Sequence, residues 1–245
     1  MSLDTRNILG VDVLSVTAPD ALRAIDAAFD GGAPVLVEFL NSNVSNLAEE
    51  NRGLSEALNA GIVLNDGIGV DLASKLLYGR FFPENLNGTD FVPWFLAHTT
   101  HRFRIYLIGA GTGVAARAAE SLRRVAPRHT YLGARDGFFS ADEQAAVAAA
   151  VRATGADLVL VGMGTPNQEI WAHTHLMTPD GPSVFCVGGL FDFVAKNKPR
   201  AYQWVRQIRC EWLFRLVVEP RRLWWRYLVG TMVFIVRLFR ARFSS

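Results

Sequence analysis

At 245 residues, with 50% of them hydrophobic and 20% charged, the chain suits one α/β domain with an appendage; this excludes a disordered protein and a disulfide-stapled miniprotein. Its net charge of +2 hides an asymmetry. Residues 200–245 hold ten arginines, no lysine and two acids (Glu211, Glu219), so this tail carries +8 and the first 199 residues −6.

In chain order, strand-like apolar runs alternate with amphipathic helical stretches, the pattern of a Rossmann-like parallel sheet with helices on both faces. Met1-Ser-Leu-Asp-Thr-Arg6 has no apolar signal region and leads into a short strand at Asn7–Val13. A helix follows at Pro19–Phe29, with Asp20 in its first turn, and then a strand at Pro34–Leu40. Asn41-Ser-Asn43 opens a helical stretch through Leu47 and Leu54–Leu58. Ile62–Leu64 is a brief strand ending in Asn65-Asp-Gly-Ile-Gly69. The strand Arg104–Ile108 runs into Gly109-Ala-Gly-Thr-Gly113 and an alanine-rich helix to Arg124. Asp157–Val161 runs into Gly162-Met-Gly-Thr-Pro-Asn-Gln-Glu169 and a helix containing Trp171, and Ser183–Val187 runs into Gly188-Gly189. Past Arg200 the β pattern stops, which sets the expected boundary between an α/β catalytic domain (1–199) and a helical appendage (200–245).

Ligands of open α/β sheets bind beyond the carboxyl ends of the strands, so these turns are the candidate site. Gly109-x-Gly111-x-Gly113 misses the dinucleotide fingerprint, because its third glycine would fall on Val114. Contact with a nucleotide diphosphate and plain helix–strand packing both stay open for it. Asp66, straight after a strand and backed by Gly67 and Gly69, suits a general base on a substrate hydroxyl. A turn-forming aspartate is the competing reading, and Asp192 after Gly188-Gly189 has the same two. The five histidines and two cysteines show no metal-ligand spacing. Cys186, inside an apolar run, reads as a buried reduced thiol.

Several motifs then fall in order: Asn65-Asp-Gly-Ile-Gly-Val70, Glu84-x-x-x-Gly88-x-Asp90, Gly137-Phe-Phe139, Val161-Gly-Met-Gly-Thr-Pro-Asn-Gln-Glu169, Gly188-Gly-Leu-Phe-Asp192, and Glu211-Trp-Leu-Phe-Arg215 with Glu219-Pro-Arg-Arg222. With these the chain resembles the TagA/WecG/CpsF family of bacterial glycosyltransferases, glycosyltransferase family 26, over nearly its whole length. The resemblance implies inverting, metal-independent transfer of a hexose or N-acetylhexosamine from a UDP-sugar to a polyprenyl-diphosphate-linked sugar, in cell-wall or exopolysaccharide synthesis. Family donors are UDP-N-acetylmannosamine, its uronic acid or UDP-glucose, and no cofactor is implied. The family's proposed base falls on Asp66, which favours the catalytic reading of that residue. Substrate contacts are implied for Asn41, Asn43, Asp90 and Gly164, and the glycine turn after Ile108 adds Gly109 and Gly111 as candidates on its own account. Contacts are implied further along for Gln168, Glu169 and Asp192, with Gln168 and Glu169 matching a pair that holds uridine or ribose. A first-turn helix carboxylate is the alternative for Glu169.

The chain departs from the family at three places. Asn41-Ser-Asn43 replaces Thr-x-Asn. Asn85 stands where arginine is usual, which makes Arg80 or a tail arginine the candidate replacement on the donor diphosphate. Lys196 and Tyr202 fall at family glycine and proline positions.

Arginine with four tryptophans in the tail points to an anionic membrane surface, through bidentate phosphate pairing and indole at the headgroup boundary. The most apolar stretch, Tyr227–Val236, is ten residues long where spanning takes about 20. The expectation is a cytoplasmic protein held peripherally on the inner face of the plasma membrane. Arg215, Arg222 and Arg226 are the candidates for closing over a substrate diphosphate. The competing classes are another nucleotide-dependent enzyme such as a dehydrogenase, and a peripheral scaffold. Nucleic acid is disfavoured by the acidic body, and self-association into a homo-oligomer stays open.

Overall fold

The structure, a computed structural model, describes residues 4–196 and 220–243; within the last helix the side chains of 220–223 and 225–228 are not described. The first strand expected from the sequence is in fact a hairpin of β1 (Thr5–Ile8) and β2 (Val11–Leu14), the one antiparallel pair of the sheet. Its two-residue turn uses Leu9 (φ 49°) and Gly10 (φ 85°), both left-handed, as a tight hairpin turn of matching twist requires.

From there the chain winds as a parallel α/β fold. Helix α1 (Ala18–Asp30) begins at Pro19 and an Asp20 that accepts from the Thr17 hydroxyl, and leads to β3 (Leu36–Leu40). The expected single helical stretch is two helices, α2 (Ser42–Glu50) and α3 (Arg52–Ala60), each capped by an asparagine side chain, Asn41 and Asn51. Strand β4 (Ile62–Asn65) leads to α4 (Ile68–Tyr78), ended by left-handed Gly79, and then to α5 (Gly88–His98). Strand β5 (Arg104–Gly109), α6 (Val114–Val125), β6 (Thr130–Arg135) and α7 (Gln144–Ala153) follow. The chain continues through β7 (Leu158–Gly162), α8 (Asn167–His175), β8 (Ser183–Cys186), the short α9 (Leu190–Val194) and, at the C-terminus, α10 (Pro220–Phe243).

The sheet order is β1-β2-β4-β3-β8-β7-β5-β6, parallel from β2 onward. Every residue of β7 and β8 is buried, as strands covered on both faces must be. One face packs on α1, α5, α6 and α9 around Phe95, Phe185 and Phe191. The other face carries two separate clusters, one with α2, α3, α4 and α10, the other with α7 and α8. Phe234 (2% exposed) and Leu238 (4%) of α10 belong to the first of these, so the C-terminal helix is seated in the body.

Candidate active site

At the β3–β8 junction the connections diverge, since β3 leads into α2 on one face of the sheet and β8 into α9 on the other; such a topological switch is where an open α/β sheet forms a ligand crevice at its carboxyl ends. Asp66, Asn41, Gly188 and Gly164 follow β4, β3, β8 and β7, four neighbouring strands. At about 4.8 Å per strand the row spans about 15 Å.

Asp66 is half-buried, and its backbone N–H donates to the Leu40 carbonyl at 2.8 Å, which ties the β4 turn to the end of β3. Asn41 caps α2 through Oδ1, which accepts from the N–H groups of Asn43 and Val44 (3.1 Å each). Its Nδ2 donates to Asp66 Oδ2 at 3.3 Å. The residue that replaces the family hydroxyl is therefore the one that touches the expected base. Asn43 is half-buried in the first turn of α2.

Asn85, at the family arginine position, accepts from Gly67 N–H at 2.8 Å and so braces the turn behind Asp66. Asn65 holds the same loop by donating to the Glu84 carbonyl at 2.9 Å. Glu84 takes the Ala18 N–H at the start of α1, and Gly88 lies where a Cβ would meet the Phe39 ring at 3.1 Å. Asp90, in the first turn of α5, accepts from Asn87 Nδ2 at 3.1 Å. Much of this motif thus shapes the loop that backs Asp66. Arg80 sits beyond the far end of α4, a helix about 16 Å long, and pairs with Asp4 at 3.2 Å. It does not approach Asp66.

Across the switch, Gln168 is buried, and its Oε1 accepts from both Gly164 N–H (3.1 Å) and Gly188 N–H (3.2 Å). One amide therefore staples the β7 turn to the β8 turn. Its Nε2 donates to Glu169 Oε1 at 2.8 Å, which also accepts from Thr165 Oγ1 at 2.7 Å. Glu169 is a first-turn carboxylate of α8 with 3% exposure, and burial raises its pKa above the usual carboxylate range. Both side chains thus work inward on the turns. Asp192 lies half-buried in the first turn of α9.

Gly109 is required by packing: it has φ +142°, and a Cβ there would lie 2.3 Å from the Gly162 carbonyl oxygen. Gly111 is under no such constraint. The α6 N-terminus at Gly113 has no side-chain cap, and Arg117 Nη1 lies close to that glycine, an arrangement suited to an anion that the sequence did not single out. Cys186 is buried as expected, and burial pushes its thiol pKa up. Arg215 lies outside the described residues, as do the side chains of Arg222 and Arg226. Among the described residues no group of three or more His, Cys, Asp or Glu is placed to hold a metal ion.

A family model described as the glycosyl transferase WecG/TagA/CpsF family matches residues 6–245. The chain belongs to this family. As a WecG/TagA/CpsF member it is a glycosyltransferase, in keeping with the resemblance carried by its motifs. It is 30% identical over 188 residues (76% of this chain, 71% of the relative) to the N-acetylglucosaminyldiphosphoundecaprenol N-acetyl-beta-D-mannosaminyltransferase of Bacillus spizizenii. It is 26% identical over 222 residues (89% and 86%) to the Staphylococcus aureus protein of the same name, and 28% identical over 196 residues (79% and 75%) to that of Bacillus subtilis.

Proposed function

We propose that this transferase moves N-acetylmannosamine from its UDP-sugar to N-acetylglucosaminyl-diphosphoundecaprenol, with Asp66 as the general base. The relatives' names supply the sugar and the acceptor. The observation that carries the role of Asp66 is its place at the β4 end, held by Asn41 beside the switch crevice.

In the proposed step Asp66 takes the proton of the acceptor hydroxyl as its oxygen attacks the anomeric carbon. UDP leaves from the opposite face, so the configuration inverts. In this reading strand spacing sets the direction of the donor. Gly109 ends β5 and Gly111 follows it, four strands from Asp66 and about 19 Å away, too far for a diphosphate bonded directly to the reacting carbon. The diphosphate accordingly lies over β3 and β8, nearer Asp192, and the nucleoside reaches toward β7 and β5. The Gly164 and Gly188 amides already serve Gln168, so the leaving charge falls to other donors. The arginines Arg215, Arg222 and Arg226 are the candidates. We further propose that no metal takes part.

The tail reading is a peripheral one on the cytoplasmic membrane face. Among the described residues no helix is long and apolar enough to cross a membrane. Helix α10 instead presents Met232, Val236, Phe239 and Phe243 outward at helical spacing, with Arg240 and Arg242 beside them, a face suited to anionic headgroups. The decisive experiment screens UDP-sugars with a lipid-diphosphate-linked N-acetylglucosamine acceptor, with and without EDTA, and reads product mass and anomeric configuration. An inverted N-acetylmannosaminyl product formed in EDTA is the expected result. Transfer of another sugar, retention of configuration, or activity restored only by a divalent metal would each overturn its part of the reading.

A further inference from the structure

One buried acid is used by none of this chemistry. Glu38 lies in β3 between Leu36, of the α7/α8 cluster, and Leu40, of the α2/α3/α4 cluster, so it occupies the seam between the two. It is 0% exposed, and neither carboxyl oxygen has a hydrogen-bond partner among the described residues. The register pairs Val37 with Phe185, which brings Glu38 beside Cys186 on β8, while its partner on β4 is Val63. From α8 the neighbouring charged group is Glu169, whose Oε2 is likewise buried without a partner among the described residues.

Two ionised carboxylates in one dry seam repel each other and lack solvation, so one of them must hold a proton. Glu169 is the better anion, because the Thr165 hydroxyl and the Gln168 amide donate to it. Glu38 has no donor among the described residues, and burial followed by the nearby Glu169 charge raises its pKa well above the usual range. The Cys186 thiol beside it is kept neutral by burial.

We propose that Glu38 is the protonated member of this pair, shares its proton with Glu169, and thereby positions Gln168 and the two glycine turns it staples. The bonds from the two glycines through Gln168 to Glu169 all point one way, and the proposed proton extends them to Glu38. Gln168 can accept from Gly164 and Gly188 through Oε1 only while Nε2 faces an acceptor, and Glu169 is that acceptor. Its anionic form is sustained in the seam by the neutral acid behind it. Glu38 is a positioning residue; it touches no substrate. Loss of its proton at high pH sets two like charges against each other and loosens both turns. This role rests on the reading of those turns as the floor of the donor site.

The test uses the full chain with Glu38→Gln, which keeps a donor but cannot ionise, and Glu38→Leu, which removes the donor. Infrared spectroscopy of the protein without substrate should show a protonated carboxyl band at neutral pH that is absent from Glu38→Gln. In the transfer assay Glu38→Leu should raise the KM for the UDP-sugar about tenfold, the order expected when a buried acceptor loses its donor. Glu38→Gln should rescue that loss and also remove the alkaline decline of kcat/KM. Absence of the band, or a Glu38→Leu protein with wild-type KM and pH profile, overturns the proposal. If Glu38→Leu does not fold, the band and the pH profile of Glu38→Gln still decide. The infrared arm needs no turnover, so a failure of the transferase reading is distinguishable from a failure of this one.

Discussion

Asn41 donates to Asp66 across 3.3 Å while its other amide atom caps α2, so the orientation of the expected base and the start of a helix depend on one side chain. The amide cannot turn to offer Asp66 a carbonyl without uncapping the helix. Three substitutions follow from this geometry.

Asp66→Asn is nearly isosteric and removes the proton acceptor. Turnover should fall by about 10²–10⁴-fold with donor affinity and melting temperature close to wild type. Near-wild-type turnover of the purified variant would take the base role away from Asp66.

Asn41→Asp keeps a good helix cap but turns a carboxylate toward Asp66, which disfavours charge there. Its melting temperature should hold while the acidic limb of the pH–rate profile moves to higher pH. Asn41→Ala loses the cap and should cost about 1 kcal/mol of stability in urea titration. An unmoved acidic limb in Asn41→Asp would show that the contact does not bear on the base.

Gly109→Ala should destabilise the protein by more than about 3 kcal/mol, because the added methyl would sit 2.3 Å from the Gly162 oxygen at a φ of +142°. Gly111→Ala is the control: its nearest neighbour would be the Val114 side chain at 3.8 Å, and the urea midpoint should stay within about 0.5 kcal/mol of wild type. Equal losses at both positions would contradict this account of the turn.

Buried His129 accepts from Phe103 N–H at Nδ1 (3.1 Å) and, as the neutral tautomer, donates from Nε2 to the Leu96 carbonyl (2.7 Å). Burial holds its pKa below the ordinary value of 6.5. Below about pH 6.5 the unfolded chain therefore binds a proton that the folded one refuses, and stability falls until the folded pKa is passed. The urea-derived stability gap between wild type and His129→Gln should narrow from about pH 7.5 to about pH 5.5. A constant gap would rule this out.

On α10, replacing Met232, Val236, Phe239 and Phe243 with serine should release the protein from anionic vesicles with little change in melting temperature, since all four are exposed. Undiminished co-sedimentation would place the membrane contact elsewhere.

Much of this architecture was legible because apolar runs that stop at glycine mark parallel strands and their functional ends. Strands β5, β7 and β8 fall within one residue of the expected limits. The hairpin was not legible, since a leucine in left-handed conformation leaves no trace in an apolar pattern. Asn85 read as a missing arginine, yet its amide has a specific task at Gly67 that only the folded loop reveals. Glu38 passed unnoticed because one acid inside an apolar strand has no spacing to betray it. Lys196 illustrates a departure that became intelligible: it has φ 55°, a conformation that favours the glycine usual in the family at that position.

Arg237 joins Glu49 (2.8 Å) and Glu50 (2.6 Å) and donates to the Asn46 carbonyl (2.8 Å), while Asn46 Nδ2 reaches the Gly230 carbonyl at 2.7 Å. With Phe234 and Leu238 these contacts make one side of α10 inseparable from α2, while the opposite side faces outward. For anyone preparing this enzyme in quantity, the two sides call for opposite treatment. Trimming the C-terminus to gain solubility would strip the cover from α2 and α4 and exchange an exposed apolar surface for a raw core. Recoding only the outward side leaves that cover in place, and the resulting protein is the form suited to concentration and crystallisation.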